Sequence, residues 1–138
     1  MDERIKEPTA ILARKAGFNV GCSYLHGEYN GFNGEHHVDN YNQFNANKQY
    51  SAPTQTTLKK WIRENHMLHV SSSFKLNIKK WDVIVFDLKL NGKEFIAYFR
   101  EYDKTHPKRR LDKYEDAIEM ALVEAIEIII LRNSEKSL

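Results

Sequence analysis

The amino-acid sequence predicts an α+β fold in which a three-stranded antiparallel sheet packs against helices. The hairpin signal lies in residues 81–102, where Asn91-Gly92 separates two runs of apolar and β-branched residues. Both turn residues adopt positive φ at little cost, which favours a two-residue hairpin loop. Residues 68–76 alternate apolar and polar side chains and predict a third strand. Helical periodicity flanks these strands, so the predicted element order is α-(irregular)-α-β-β-β-α.

The length predicts one small domain, and the charge balance predicts no strong long-range electrostatic field. The chain has 138 residues, with 21 Lys and Arg against 19 Asp and Glu. A domain of this size buries a sizeable core, and near-neutral charge does not by itself imply attraction to nucleic acid. Cys22 is the single cysteine, and the one long apolar run is interrupted by glutamates. We therefore expect a soluble, cytoplasmic protein without a membrane partner.

The first helix is predicted over residues 8–16. Pro8 suits a first helical turn, and Gly17 follows at the position where a C′ glycine ends many helices. Phe18 is then expected to fold back onto the helix.

Residues 19–52 form a segment rich in Asn and Gly, which favour turns over regular structure. Two interpretations are open. Either the segment contains short strands, with 20–26 the best candidate, or it is a mobile and functional excursion.

Two further helices are predicted on stronger patterns. Residues 53–67 begin with Pro53 and place Leu58, Trp61, Ile62 and Met67 on one side. Residues 114–132 form the last helix. Its broad apolar side is predicted to carry Ala117, Ile118, Ala121, Leu122, Ala125 and Ile129.

The Asn-Gly turn also predicts the register of the hairpin and the role of each face. One face pairs Ile84 with Phe99 and Phe86 with Ala97, and we expect it to be buried against the last two helices. The other face is mixed and is expected to be a functional surface. It pairs Asp87 with Ile96, Val85 with Tyr98, Val83 with Arg100 and Trp81 with Tyr102.

Several stretches are similar to a known group of sequences. They are LARKAGF at 12–18, YSAPTQTTLKKWIRENH at 50–66, LHV at 68–70 and YEDAIEMALVEA at 114–125. Together they resemble a family of small uncharacterised proteins from bacteriophages and mobile elements of gut Bacteroidetes. The resemblance implies an accessory, non-enzymatic role and transfers no catalytic residue.

A phosphate-bearing ligand, either nucleic acid or a nucleotide, is the sharpest functional hypothesis. The loop before the last helix is basic, and the free N–H groups of a helix N-terminus also attract anions. Aromatic side chains on the mixed hairpin face are suited to stacking on bases. The predicted binding residues are Trp81, Tyr98, Arg100, Tyr102, Lys104, His106, Lys108, Arg109 and Arg110.

Two alternatives remain open. Met120, Val123 and Ile130 on the last helix, or the aromatic hairpin face, would form a surface for protein association or a homodimer. A metal-dependent hydrolase would use His26, Glu28, His36, His37 and Asp39, although their spacing matches no known metal motif. No residue is predicted as a catalytic nucleophile and no cofactor is expected, so the sequence favours binding over catalysis.

Overall fold

The computed structural model describes residues 3–29, 32–39, 42, 49–76, 79–88, 96–99 and 113–136. In these residues the chain has helices and small antiparallel sheets, which confirms the α+β class. The helices are α1 (Glu7–Lys15), α2 (Gln55–His66) and α3 (Tyr114–Lys136). The strands are β1 (Cys22–Tyr29), β2 (Phe32–Asp39), β3 (Gln49–Ser51), β4 (Leu68–Ser71), β5 (Phe74–Lys75), β6 (Lys80–Trp81), β7 (Ile84–Asp87) and β8 (Ile96–Phe99).

The strands belong to separate sheets. One has the order β2-β1-β3, the second has the order β4-β7-β8, and β5 pairs with β6 alone. The element order therefore differs from the predicted one, because the Asn/Gly-rich segment contributes a sheet of its own. Of the two interpretations left open for that segment, the structure shows the one with strands.

One long, interrupted hairpin connects β4 and β5 to β6 and β7. The antiparallel register of Ser71 with Ile84 continues in the pairing of Phe74 with Trp81. At the interruption, the Ser72 hydroxyl donates to the Asp82 carbonyl at 2.5 Å, and the Asp82 N–H donates to the Ser73 carbonyl at 2.8 Å. The single strand predicted over 68–76 is thus broken at polar residues that bond across the gap.

The register predicted for β7 and β8 is confirmed, while the prediction of which face is buried is wrong. Ile84 pairs with Phe99 and Val85 with Tyr98, as the hairpin rule requires; residues 91–92 lie outside the described part. The core contains Val83 and Val85. On the face predicted to be buried, Ile84 is 8% exposed but lies outside that core, and Phe86 is only half-buried.

Strand β4 explains the reversal of the faces. Side chains directly opposite each other in an antiparallel pair share a face. His69 lies opposite Phe86 and Ser71 opposite Ile84, so the more hydrocarbon-rich face of β7 shares its side with the polar residues of β4. Val70 lies opposite Val85, and both are buried, so the face of the sheet that carries them points to the core.

The inward face packs on α2 and α3, which provide most of the core. Every residue predicted for the apolar side of α3 is buried, and α3 continues four residues beyond the predicted end at 132. The core comprises Leu58, Trp61 and Ile62 of α2, Leu68 and Val70 of β4, Val83, Val85, and Ala117, Ile118, Ala121, Leu122, Ala125, Ile126 and Ile129 of α3, together with Ile5, Ala10, Ala13, Ala16 and Phe18.

The helix ends follow local chemistry. Gly17 has φ +96°, and the Phe18 N–H donates to the Ala13 carbonyl at 3.0 Å, which is the predicted C′ glycine with the chain folded back. Helix α2 begins later than predicted, because the Thr54 hydroxyl caps it by accepting the Thr57 N–H at 3.2 Å. Pro53 therefore precedes the cap, and Met67, 42% exposed, ends α2 in a left-handed conformation with φ 56°.

The segment before α1 is held by a buried carboxylate of α3. Glu119 is 7% exposed and accepts both the Lys6 N–H at 3.0 Å and the Gln55 side-chain amide at 3.1 Å. Lys6 is the N-cap of α1, so the carboxylate also lies at the positive end of that helix. This contact joins the first, second and third helices where the candidate site begins.

Candidate functional site

Three aromatic side chains meet at the surface where the interrupted hairpin approaches the start of α3. The pairing of β5 with β6 places Phe74 opposite Trp81, with ring centroids 5.1 Å apart. Tyr114, the first residue of α3, contacts Trp81 edge-on at 5.1 Å. Phe74 is 41% and Tyr114 39% exposed, so this aromatic cluster presents ring surface to solvent.

Several lysines are close in sequence to the residues of the aromatic cluster. Lys75 and Lys80 are neighbours of Phe74 and Trp81, and Lys113 precedes Tyr114. Lys75 Nζ lies 3.6 Å from the carboxylate of Asp82, which is buried. Lys79 and Lys113 are exposed and have no carboxylate partner among the described residues. Asp82 follows Trp81 and Glu115 follows Tyr114, so both signs of charge flank the cluster.

A groove continues from the aromatic cluster toward α2. Its volume is about 280 Å³, and its lining includes Tyr114 of α3 together with Thr56 and Lys59 of α2. Glu3 and Glu115 also line it, so the groove carries both signs of charge. Tyr114 thus belongs both to the cluster and to the lining of the groove.

The exposed side of α2 extends this surface with cations. Lys59, Lys60 and Arg63 project away from the buried side of the helix, and none has an ion pair with a described residue. His69 of β4 lies beside them. Burial, followed by the charges of Lys59 and Arg63, lowers the pKa of the His69 imidazole. The imidazole is therefore neutral near pH 7.

This lowered pKa predicts how stability depends on pH. The unfolded chain binds a proton at His69 more readily than the folded protein does. The contribution of His69 is therefore lost as the pH falls below about 6.5, its ordinary pKa, toward the lower folded value. We expect His69→Asn to flatten the fall in melting temperature over this range, measured by circular dichroism. An unchanged slope would contradict the prediction.

The structure describes part of the set of binding residues predicted from the sequence. Trp81 is in the aromatic cluster. Tyr98 takes the position opposite Val85 in β8, of which the backbone is described. Arg100, Tyr102, Lys104, His106, Lys108, Arg109 and Arg110 lie outside the described residues.

Sequence reasoning missed Lys59, Arg63 and His69. The available signal was two cations one helical turn apart on the polar side of a short helix, followed closely by a histidine in a strand. Two described arginines lie over aromatic rings: Arg4 over Tyr24 at 4.0 Å and Arg14 over Tyr50 at 5.5 Å.

The residues of the predicted metal site are only partly described. His26 Nε2 lies 2.7 Å from the Ile5 carbonyl oxygen, which ties the N-terminal segment to β1. Within the described residues, no group of three or more His, Cys, Asp or Glu side chains is arranged to hold a metal ion. Glu28, His36 and His37 have described backbone positions only.

The apolar side chains proposed for association on α3 are half-buried. Met120 and Ile130 pack against the core, and Met120 and Val123 line an apolar groove of about 390 Å³ beside Lys6 and Asp116. Lys6 Nζ lies 3.5 Å from Asp116 at the edge of this groove. The N-terminal segment therefore borders part of this side of α3.

Comparison of the chain with protein-family models, with curated proteins and with solved structures finds no match. The resemblance to phage and mobile-element proteins stays a prediction. Among the described residues, no helix is long and apolar enough to cross a membrane.

Proposed function

We propose that the protein is a small binding module for single-stranded nucleic acid. The observation that carries the proposal is the partly exposed cluster of Phe74, Trp81 and Tyr114, which leads into a groove lined by Lys59. Proteins that bind single strands combine aromatic rings for base stacking with cations that follow the backbone. On this surface the aromatic rings are followed by cations along a single path.

The shape of the surface favours a polymer over an isolated nucleotide. Tyr114 connects the aromatic cluster to the groove, and Lys59 connects the groove to the cationic side of α2. A single nucleotide would use one end of this path, whereas a strand would place bases on the rings and phosphates along the cations. The near-neutral net charge of +2 favours contacts made by local patches, as such a path would provide.

The loop predicted to bind phosphate directly precedes Lys113 and Tyr114 in the sequence. Arg110 precedes Tyr114 by four residues, and four extended residues span at most about 14 Å. A binding role without catalysis also agrees with the phage or mobile-element origin that the sequence resemblance implies.

The test measures binding of fluorescent oligo(dT) and oligo(U) by anisotropy at low salt. Phe74→Ala is expected to weaken binding by about 5–150-fold, since stacking one base on an aromatic ring contributes about 1–3 kcal/mol. Phe74→Tyr retains a ring and is expected to bind like the wild type. Lys59→Ala is expected to reduce the slope of log affinity against log salt by about 0.7, the value for one phosphate contact on a single strand.

Leu76→Ala is the matched control, because Leu76 lies on the same hairpin, is 82% exposed and has no ring. It removes apolar surface at the hairpin without touching the cluster. Equal binding by Phe74→Ala and Leu76→Ala, or no binding by the wild type at low salt, would overturn the proposal. A clear preference for duplex over single strands of the same sequence would also contradict it.

A further inference from the structure

We propose that the groove beside the starts of α2 and α3 is a subsite for one base and selects guanine. The base would stack on Tyr114 and place its Watson–Crick edge against the carboxylate of Glu115. This inference rests on the proposed function, because it names the base that a bound strand would place next to the aromatic cluster. The subsite is defined by the base alone, so a nucleoside without phosphate tests it separately from a strand.

Gln55, the first residue of α2, brings the two acidic residues of the groove together. Its backbone N–H donates to the Glu3 carbonyl at 2.7 Å, and its side-chain amide donates to the Glu115 carbonyl at 2.9 Å. Gln55 itself is buried, so these hydrogen bonds form largely out of water and hold both backbones beside the start of α2. The Glu115 carboxylate is therefore carried by a fixed position in the first turn of α3.

The groove has the size and lining of a site for one flat ring. Its volume of about 280 Å³ lies at the lower end of the range for ligand sites, about 300–1,000 Å³, and suits a base better than a whole nucleotide. The buried Ile118 contributes apolar lining, and the partly exposed ring of Tyr114 is available for stacking. A planar, partly apolar group would therefore fit this groove.

The charges that line the groove favour a base over a phosphate. Glu3 and Glu115 have no ion pair with any described residue, so their carboxylates are available to a ligand. Against these two negative charges the lining has one positive charge, that of Lys59. A phosphate inside the groove would therefore meet net repulsion, whereas the N–H groups of a base would find acceptors.

The donor pattern of the bases then selects guanine. A carboxylate has only acceptors and can take two parallel hydrogen bonds. Guanine has two neighbouring donors on its Watson–Crick edge, N1–H and the 2-amino group. Adenine and cytosine place an amino group beside a ring nitrogen that accepts, and thymine and uracil place N3–H between two carbonyl oxygens. In those bases an acceptor would face a carboxylate oxygen without a hydrogen bond, which disfavours their binding.

The test measures the binding of fluorescent oligo(dT) strands that differ in one central base, by anisotropy at low salt. The strand with guanine is expected to bind about 5–150-fold more tightly than the strand with adenine, which is the range for a bidentate contact to one base. Adenine is the reference because it is also a purine and stacks similarly. Hypoxanthine lacks only the 2-amino group of guanine and is expected to bind more weakly than guanine. Equal binding of the guanine and hypoxanthine strands would overturn the inference with the wild-type protein alone.

Matched variants assign the preference to one carboxylate. Glu115→Gln is expected to remove the preference for guanine over adenine, since an amide presents one donor and one acceptor in place of two acceptors. Asp116→Asn removes the same charge from the same turn of α3, but Asp116 lies beside Lys6 at the other groove. This control is expected to retain the preference. Equal preferences in the two variants would contradict the role of Glu115.

Guanosine separates this inference from the proposed function, because it has neither a phosphate nor a strand. Its binding is followed by NMR through the methyl signals of Ile118, with Ile129, buried further along α3, as the reference. Guanosine is expected to shift the Ile118 signals more than inosine does and to leave Ile129 unchanged. Such a shift without binding of any oligonucleotide would support the subsite and overturn the nucleic-acid proposal. Binding of oligo(dT) strands without a preference for guanine would do the reverse.

Discussion

Val70→Asp is expected to abolish cooperative folding of the protein. Val70 is fully buried, and it lies opposite Val85, which is also fully buried, in the layer where β4 and β7 pack on α3. A carboxylate at this position would be buried among hydrocarbon without a cation, which costs several kcal/mol even if the group takes up a proton. The whole stability of a small domain is about 5–15 kcal/mol, so one such charge removes most or all of it.

His69→Asp is the matched control for this substitution. It places the same carboxylate at the adjacent residue, where the side chain points to the other face of the sheet and lies near Lys59 and Arg63. An exposed ion pair contributes at most about 1 kcal/mol, so stability is expected to change little. Thermal unfolding followed by circular dichroism distinguishes the two variants. Comparable losses of melting temperature would show that β4 does not separate a buried face from an open one.

The sequence predicted local structure better than the pairing between distant segments. The end of α1 at Gly17 and the register of β7 with β8 depend on the chemistry of a few neighbouring residues, and both agree with the structure. Which face of β7 is buried depends instead on β4, because the strand beside it decides which side chains share a side. The hairpin sequence alone predicts that the face richer in hydrocarbon, which carries Phe86, is the core face. In the structure Phe86 is only half-buried.

The candidate site shows the same difference between local structure, which the sequence predicts, and contacts between distant segments, which it does not. Trp81 was predicted as a binding residue from its place in the hairpin, whereas its neighbours Phe74 and Tyr114 come from a different strand and from the start of α3. Alternation over residues 68–76 places Phe74 on the same face as the buried Val70, yet beyond the interruption at Ser72 and Ser73 it is 41% exposed. Sequence periodicity does not reveal such an interruption, because the same register resumes beyond it.

The ion pair between Asp87 and Arg132 connects the far end of the sheet to α3. The Asp87 side chain is 8% exposed and shares the inward face with Val85, while the Arg132 side chain is 25% exposed. Removing one partner of a buried pair leaves the other without its opposite charge, which costs about 3–5 kcal/mol for well-buried groups. The two partners differ in burial, so the two single substitutions are expected to differ in cost.

Arg132→Ala is expected to destabilise the protein more than Asp87→Ala does. Without Arg132, the Asp87 carboxylate loses this cation while it stays largely shielded from water, and we expect a loss of about 3 kcal/mol near neutral pH. Without Asp87, the guanidinium can turn toward solvent, and we expect a loss of about 1–3 kcal/mol. Urea denaturation of both variants and of the double variant Asp87→Ala/Arg132→Ala gives the coupling energy directly. The double variant is expected to be more stable than Arg132→Ala alone, since it no longer buries an uncompensated carboxylate. Additive losses would show that the two side chains contribute independently and that the pair does not hold the end of the sheet on α3.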